Sequence, residues 1–283
     1  MEVSRVRRLE YRDIDDAIAL TDLEAWGYTR ADFRRLLALS PDGCFAAELD
    51  GRLVGVLTTT TYDGLAFLGA VIVRPDLRGK GVGKQMMEVA LDYLRSHGVE
   101  TVRLNAYLRA IPFYERLGFH GEYDVVRWTG AGAAGRTAGV RPVRPADVSS
   151  VASFDARFFG ANRAALLERL AEEFPDMFLV AVRGGRVHGY IVGNPSGDSC
   201  EIGPWVVEPD SPGVAGSLFQ GVVAASGSRT IAFSGPSSND ALQGFVKRVR
   251  LEEVFRTRRM WYGRDAFPAH PQGVWALAGL EKG

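Results

Sequence analysis

The stretch Val73-Arg74-Pro75-Asp76-Leu77-Arg78-Gly79-Lys80-Gly81-Val82-Gly83 is the part of the chain best suited to chemistry. Its three glycines let the backbone take positive φ and come close to a ligand. The N–H groups that open the following helix lack intrahelical partners and form a site for anionic phosphates, to which Arg78 and Lys80 add positive charge. No Gly-Lys-Ser/Thr follows, so this is not the loop of nucleoside triphosphatases, and the dinucleotide fingerprint does not fit either. A glycine-rich turn without a ligand is the plainer alternative. Metal chemistry is not expected. Cys44 and Cys200 lie far apart outside any ligand spacing, and His97, His120, His188 and His270 are scattered.

Such a loop must be held by a strand before it and a helix after it, and the pattern supplies both. Leu65–Val73 is an apolar run of strand length, while residues 84–97 carry Met87, Ala90, Leu91 and Leu94 at helical spacing and stop at Gly98. Upstream, Asp13 is placed to cap a helix running through Leu20, and Thr29 with Asp32 to cap the one bearing Phe33, Leu36 and Leu37. Residues 44–49 and 53–60 read as strands joined by the hairpin signal Asp50-Gly51. Residues 101–106 form a further strand and 112–117 a short helix stopped by Gly118. Helices, a meander and then β-α-β-α predict a mixed α/β sheet.

Three landmarks recur at one spacing. Val6-Arg7 with Asp13-Ile14 matches Val140-Arg141 with Asp147-Val148; Gly51-Arg52-Leu53 and Gly55 match Gly185-Arg186-Val187 and Gly189; Val73, Pro75 and Asp76 match Val207, Pro209 and Asp210 (140 − 6 = 185 − 51 = 207 − 73 = 134). Collinear matches at a single offset indicate a duplicated domain. The tract Thr129-Gly130-Ala131-Gly132-Ala133-Ala134-Gly135 has no side chains to build a core and reads as a linker. The expected division is a first domain over 1–128, a linker over 129–139 and a second domain over 140–283. The apolar residues 274–280 are expected to form a C-terminal strand that docks back onto one of the sheets.

Arg78-x-x-Gly81-x-Gly83 after Val-x-Pro, with Phe113-Tyr114-Glu115-Arg116-Leu117-Gly118-Phe119 downstream, resembles the signature of the GNAT superfamily of N-acetyltransferases. The whole chain resembles tandem-GNAT proteins with a diverged C-terminal acetyltransferase-like domain, and Glu201-Ile202-Gly203-Pro204-Trp205 is similar to a motif of that domain. The resemblance implies two GNAT-like α/β (α+β) domains, each a mixed, mostly antiparallel sheet flanked by helices, with a splayed strand pair in the first. It implies acetyl-CoA as co-substrate and no metal. Val71, Ile72 and Val73 would then line the pantetheine arm, and Arg78, Gly79, Lys80, Gly81, Val82, Gly83 and Lys84 the pyrophosphate. Asn105 matches a cofactor-contacting position, and Tyr114 matches the general acid, whose hydroxyl, with a reference pKa near ~10, suits protonation of the departing thiolate.

The activity implied is transfer of acetyl to a primary amine by direct attack in a ternary complex, since neither cysteine sits in a motif for an acyl-enzyme. The amine must first lose a proton. Many members of the superfamily carry a glutamate on the strand before the loop, but Leu65–Val73 has none, which leaves Glu24 as the first candidate base. Trp26 and Tyr28 match acceptor-pocket positions. In the second half Pro212, Ala215 and Ser217 stand for Arg78, Gly81 and Gly83, and Val246 for Tyr114, so that half is read as degenerate. It would shape the acceptor cleft or a homodimer surface. A non-catalytic acyl-CoA-binding or regulatory protein is the alternative.

Thirty-four basic residues balance 34 acidic ones, which argues against nucleic acid as a partner. No apolar run suits a bilayer and the first residues lack the apolar core of a signal peptide, so a cytoplasmic protein without a membrane partner is expected. The expected acceptor is a small-molecule or peptide amine.

Overall fold

The computed structural model describes residues 5–132, 135 and 137–283. Strand β1 (Arg5–Arg8) is followed by helices α1 (Ile14–Asp22) and α2 (Arg30–Leu39), strands β2 (Phe45–Leu49), β3 (Arg52–Tyr62) and β4 (Leu65–Val73), and helix α3 (Val82–Ser96). Strand β5 (Thr101–Tyr107), the short helix α4 (Ile111–Glu115) and β6 (His120–Ala131) complete the first half. The second half repeats the order as β7 (Val140–Pro142), α5 (Val148–Phe159), α6 (Ala164–Glu173), β8 (Phe178–Arg183), β9 (Arg186–Ser196) and β10 (Ser199–Val207). It continues with α7 (Pro212–Ser226), β11 (Thr230–Pro236), α8 (Asp240–Arg248) and β12 (Glu252–Gly263), and adds β13 (Val274–Ala276).

Local signals account for most of these boundaries. Thr29 and Asp32 form the expected capping box on α2, with the Thr29 N–H donating to Asp32 Oδ2 (2.9 Å) and the Asp32 N–H to Thr29 Oγ1 (3.2 Å). Asp50 and Gly51 turn the β2–β3 hairpin at φ of 50° and 71°. Asp13, by contrast, makes no side-chain cap on α1. Its carboxylate accepts from the Arg7 guanidinium (2.7 and 2.9 Å) and from the Glu10 N–H (2.8 Å), tying β1 to the turn before the helix. Asp147 does the same with Arg141 (2.6 and 2.9 Å) and the Arg144 N–H (2.8 Å), so the duplication extends to hydrogen bonds.

The two halves share one sheet, in the order β1-β2-β3-β4-β5-β12-β6-β11-β10-β9-β8-β7, with β13 paired to β10. Among the described residues only β4–β5 and β10–β11 are parallel. Each half surrenders its last strand to the other: β12 lies against β5, β6 lies against β11, and β6 and β12 pair at the centre. Consequently Thr129, Gly130 and Ala131 belong to β6 and are not part of a linker, while Ala133, Ala134 and Arg136 lie outside the described residues. Gly130 is needed there because a methyl group would press on Leu251.

On one face of the first half, Met86, Met87, Ala90, Leu91 and Leu94 of α3 pack on Leu68, Leu104 and Phe119. A second core is common to both halves and joins Tyr62, Leu65 and Phe67 to Phe158, Phe159 and Phe178. Each such apolar side chain contributes about 1.5–3 kcal/mol on burial, so this shared core holds the halves in register. Among the described residues no helix is long and apolar enough to cross a membrane.

Candidate active site

Strands β4 and β5 stay paired only from Leu65–Leu68 against Thr101–Leu104. On the far side of β4 the register with β3 shifts between Val56 and Thr58, and Ala70 takes φ 47°, a bulge that re-aims the strand. From Gly69 and Asn105 onward the two strands part. A cavity of about 1560 Å³ opens there, bordered in the first half by residues 69–73, Asn105, Tyr107, Tyr114 and Arg127 and in the second by Glu201 and Ser234.

At its edge β4 turns through Pro75–Leu77 into α3. Gly79 and Gly81 adopt φ of 75° and 90°, and a side chain at either would meet nothing within 4 Å, so the left-handed backbone and not crowding selects glycine. Gly81 precedes α3 without any side-chain cap, which leaves the N–H groups of Val82, Gly83 and Lys84 to a ligand. Positive φ, an uncapped helix start and the neighbouring Arg78, Lys80 and Lys84 suit a pyrophosphate. Arg78 is steadied by donating from Nε to the Val73 carbonyl (2.9 Å) and from Nη2 to Glu24 (2.7 Å).

Glu24, Trp26, Tyr28, residues 71–73, Arg78, Asn105 and Tyr114 all border this one cavity. Gly79 to Lys84 continue the loop beyond it. Tyr114 is buried, and burial pushes its phenol well above the usual range, so it is protonated at neutral pH. Glu24 is engaged by both Arg78 and Arg109. Burial raises its proton affinity, but the hydrogen bonds from the two guanidiniums outweigh that and hold the carboxyl below its ordinary value. Trp26 stacks on Tyr107 with centroids 6.3 Å apart, and Tyr28 leans on Phe33 at 5.4 Å. Burial pushes the Cys44 thiol up to about 12 and that of Cys200, on the cavity wall, up to about 11. Neither is a thiolate at neutral pH. Among the described residues no group of three or more His, Cys, Asp or Glu is placed to hold a metal.

The corresponding opening in the second half is filled. Strands β10 and β11 pair from Ser199–Glu201 against Thr230–Ala232 and then diverge, but β13 lies in the gap. It pairs with Trp205 and Val206, and the Leu277 N–H donates to the Ser234 carbonyl of β11 (2.8 Å). Helix α7 starts at Pro212, four residues before the counterpart of Val82 (82 + 134 = 216), so the loop has been wound into helix. Between Gly203 and Gly227 no residue has positive φ. Val246, in the place of Tyr114, is buried among apolar side chains.

Beyond β13 the chain crosses to the first half. The Leu280 carbonyl accepts from Asn105 Nδ2 (2.6 Å), that of Lys282 from the Tyr62 hydroxyl (2.9 Å), and that of Gly283 from Arg163 (2.7 Å). Glu281 and Lys282, ion-paired to each other, are both buried. The sequence pointed to a docked strand over 274–280, of which Val274–Ala276 is strand, on β10, while the residues after it leave the strand to cross between the halves; nothing local marked Glu281, Lys282, Arg109 or Tyr107 as part of the first site.

A mixed sheet that opens between two parallel strands beside an uncapped, glycine-led helix is the arrangement that the sequence resemblance implied for the first half. Residues 10–119 match the acetyltransferase (GNAT) family and residues 151–276 an acetyltransferase (GNAT) domain. The chain belongs to the GNAT family, in tandem form, and is an enzyme of the N-acetyltransferase type. A holothin acyltransferase from a Pseudoalteromonas species is 26% identical over 268 residues, covering 92% of this chain and 88% of that one. A putative acetyltransferase from Pyrococcus horikoshii superposes with a TM-score of 0.87 at 24% identity, over 100% of this chain and 97% of its own. A tandem GNAT protein from the clavulanic acid biosynthesis pathway gives a TM-score of 0.63 at 16% identity, over 92% and 98% respectively.

Proposed function

We propose that the protein is an acetyl-CoA-dependent N-acetyltransferase with one catalytic site, in its first half, that acetylates a primary amine on a small molecule or peptide by direct attack. The contrast between the two halves carries the reading: the first opening leads into a cavity beside a helix start led by two glycines of positive φ, whereas the second is filled by β13 and its helix begins four residues early without such glycines. Bound acetyl-CoA would supply an activated thioester. The N–H groups at the start of α3, with Arg78 and Lys80, would hold its pyrophosphate, and the unpaired edge of β4 over residues 71–73 its pantetheine arm. Tyr114 would give its proton to sulfur as the thiol leaves. The high proton affinity of both buried cysteines favours direct attack over a covalent acyl-enzyme. Trp26 and Tyr28 would contact the acceptor, and the relative named holothin acyltransferase supports acyl transfer to a dedicated acceptor.

The test is thiol release from acetyl-CoA against pools of polyamines, amino acids, aminoglycosides and peptides, together with calorimetry. Release that depends on one pool, with one acetyl-CoA bound per chain, is expected. Binding without release from any pool would favour an acyl-CoA-binding protein, and two equivalent sites would overturn the assignment to the first half.

A further inference from the structure

We propose that Glu281, delivered from the second half, is the base that deprotonates the acceptor amine in the first half. The proposal rests on the N-acetyltransferase reading above. Strand β4 has no carboxylate of its own over Leu65–Val73. What lies on it at the point of divergence is Glu281: a methyl group at Gly69 would collide with the Glu281 backbone and Cβ, so the bare glycine admits this residue to the strand surface. Gly69 and Asn105 are the first residues past the last β4–β5 pair, and Asn105 holds the carbonyl just before Glu281. With Tyr62 and Arg163 fixing the carbonyls of Lys282 and Gly283, the segment is positioned by three side-chain donors. Arg163 is itself locked, donating to buried Asp155 at 2.7 and 2.9 Å.

The other carboxylates on the cavity wall are engaged by arginine. Glu24 is held by Arg78 and Arg109, Asp32 and Glu173 by Arg35, and Glu201 by a bidentate contact from Arg127. Such pairs keep a carboxylate ionised and occupied, which makes it a poor proton acceptor. Glu281 is paired instead with the Lys282 ammonium, so the pocket already houses a primary ammonium against this carboxylate. The Tyr28 and Tyr62 phenols and the Asp32 carboxylate are the further charged or titratable groups near it; burial, then the negative charges of Glu281 and Asp32, hold the Tyr28 proton tightly, and burial, with Glu281 among the charges that add to it, does the same for Tyr62. An incoming ammonium would exchange with that of Lys282.

The step balances as follows. The acceptor ammonium gives a proton to the Glu281 carboxylate and its freed lone pair forms the N–C bond to the acyl carbon. The C–S bond breaks with its electron pair on sulfur, which takes the Tyr114 proton. The nitrogen loses a second proton that restores Tyr114 through solvent, and Glu281 returns its own to water. Products are the amide, a free thiol and one proton.

In the full chain, Glu281→Gln should lower kcat/KM for the acceptor at pH 7 by roughly 10²–10³-fold. The deficit should shrink as pH approaches the amine's own pKa, near ~10.4 for a lysine-like acceptor, because a free amine needs no base. Acetyl-CoA affinity by calorimetry should not change. Because Glu281→Gln leaves the Lys282 ammonium buried without its partner, the double variant Glu281→Gln/Lys282→Met serves as a second probe with both charges removed and the same expected profile. Wild-type turnover and pH profile in either variant would overturn the proposal. Faster turnover would do so too, since the segment would then obstruct the site, as would a parallel loss of acetyl-CoA affinity. A wild-type protein that binds acetyl-CoA but acylates nothing would sink the transferase reading, and this one with it.

Discussion

Tyr114 differs from phenylalanine by one oxygen, and burial keeps that oxygen protonated across neutral pH. Tyr114→Phe should therefore cut kcat by roughly 10²–10⁴-fold while acetyl-CoA affinity stays as in the wild type, measured by thiol release and calorimetry. An unchanged kcat would remove the phenol from the reaction. At this scale the sequence was legible where chemistry is local. Gly79 and Gly81 signal their own backbone conformation, and Tyr114 sits in a short motif tied to the loop. Glu24 was legible as a carboxylate near the cavity, but its two arginine partners are 54 and 85 residues away along the chain, and they decide its proton affinity. Glu281 was illegible, because only the fold brings it onto Gly69.

The matched pairs Arg7–Asp13 and Arg141–Asp147 show how each half begins. Hydrogen bonding from Arg141, opposed by burial and helped by the Arg144 N–H, holds the Asp147 carboxyl down at about 2, below its ordinary value of 3.8. A depressed folded-state value gives stability that is present above the ordinary value and lost as pH falls through the folded one. Asp147→Asn should thus cost roughly 1 kcal/mol at pH 7, solvent screening included. The decline in Tm between about pH 4 and pH 2 should become shallower than in the wild type. An identical acid profile would mean the pair contributes nothing. The hairpin at Asp50-Gly51, the Thr29 cap and the α3 periodicity were readable because each is fixed by a few adjacent residues. The glycine and alanine tract was misread for the opposite reason. Strand β6 pairs with β12 as far as Thr129 and with β11 through Ala131, so backbone hydrogen bonds stabilise Thr129 to Ala131 without help from large side chains.

For the molecule as a whole, the constant offset revealed two copies but not their exchange of last strands. β6 and β12 close corresponding halves of the repeat, and nothing in the offset shows that each pairs with the other half. A fragment spanning residues 5–131 would expose the β5 edge that β12 covers, and one spanning 137–283 the β11 edge that β6 covers. Neither should show a cooperative thermal transition alone, and mixing the two should restore one, as read by calorimetry. Cooperative unfolding of the first fragment by itself would show that the exchanged strand is dispensable.

The exchange also sets a clock during synthesis. At ~5–20 residues per second, the ribosome needs on the order of 7–25 s after completing β6 before it has made β12. Throughout that interval the β5 edge of the nascent first half has no β12 to cover it. The mature order, with β12 seated against β5 and β6 against β11, can close only once the second half's last strand has been made, so the first half's sheet is completed by residues synthesised last.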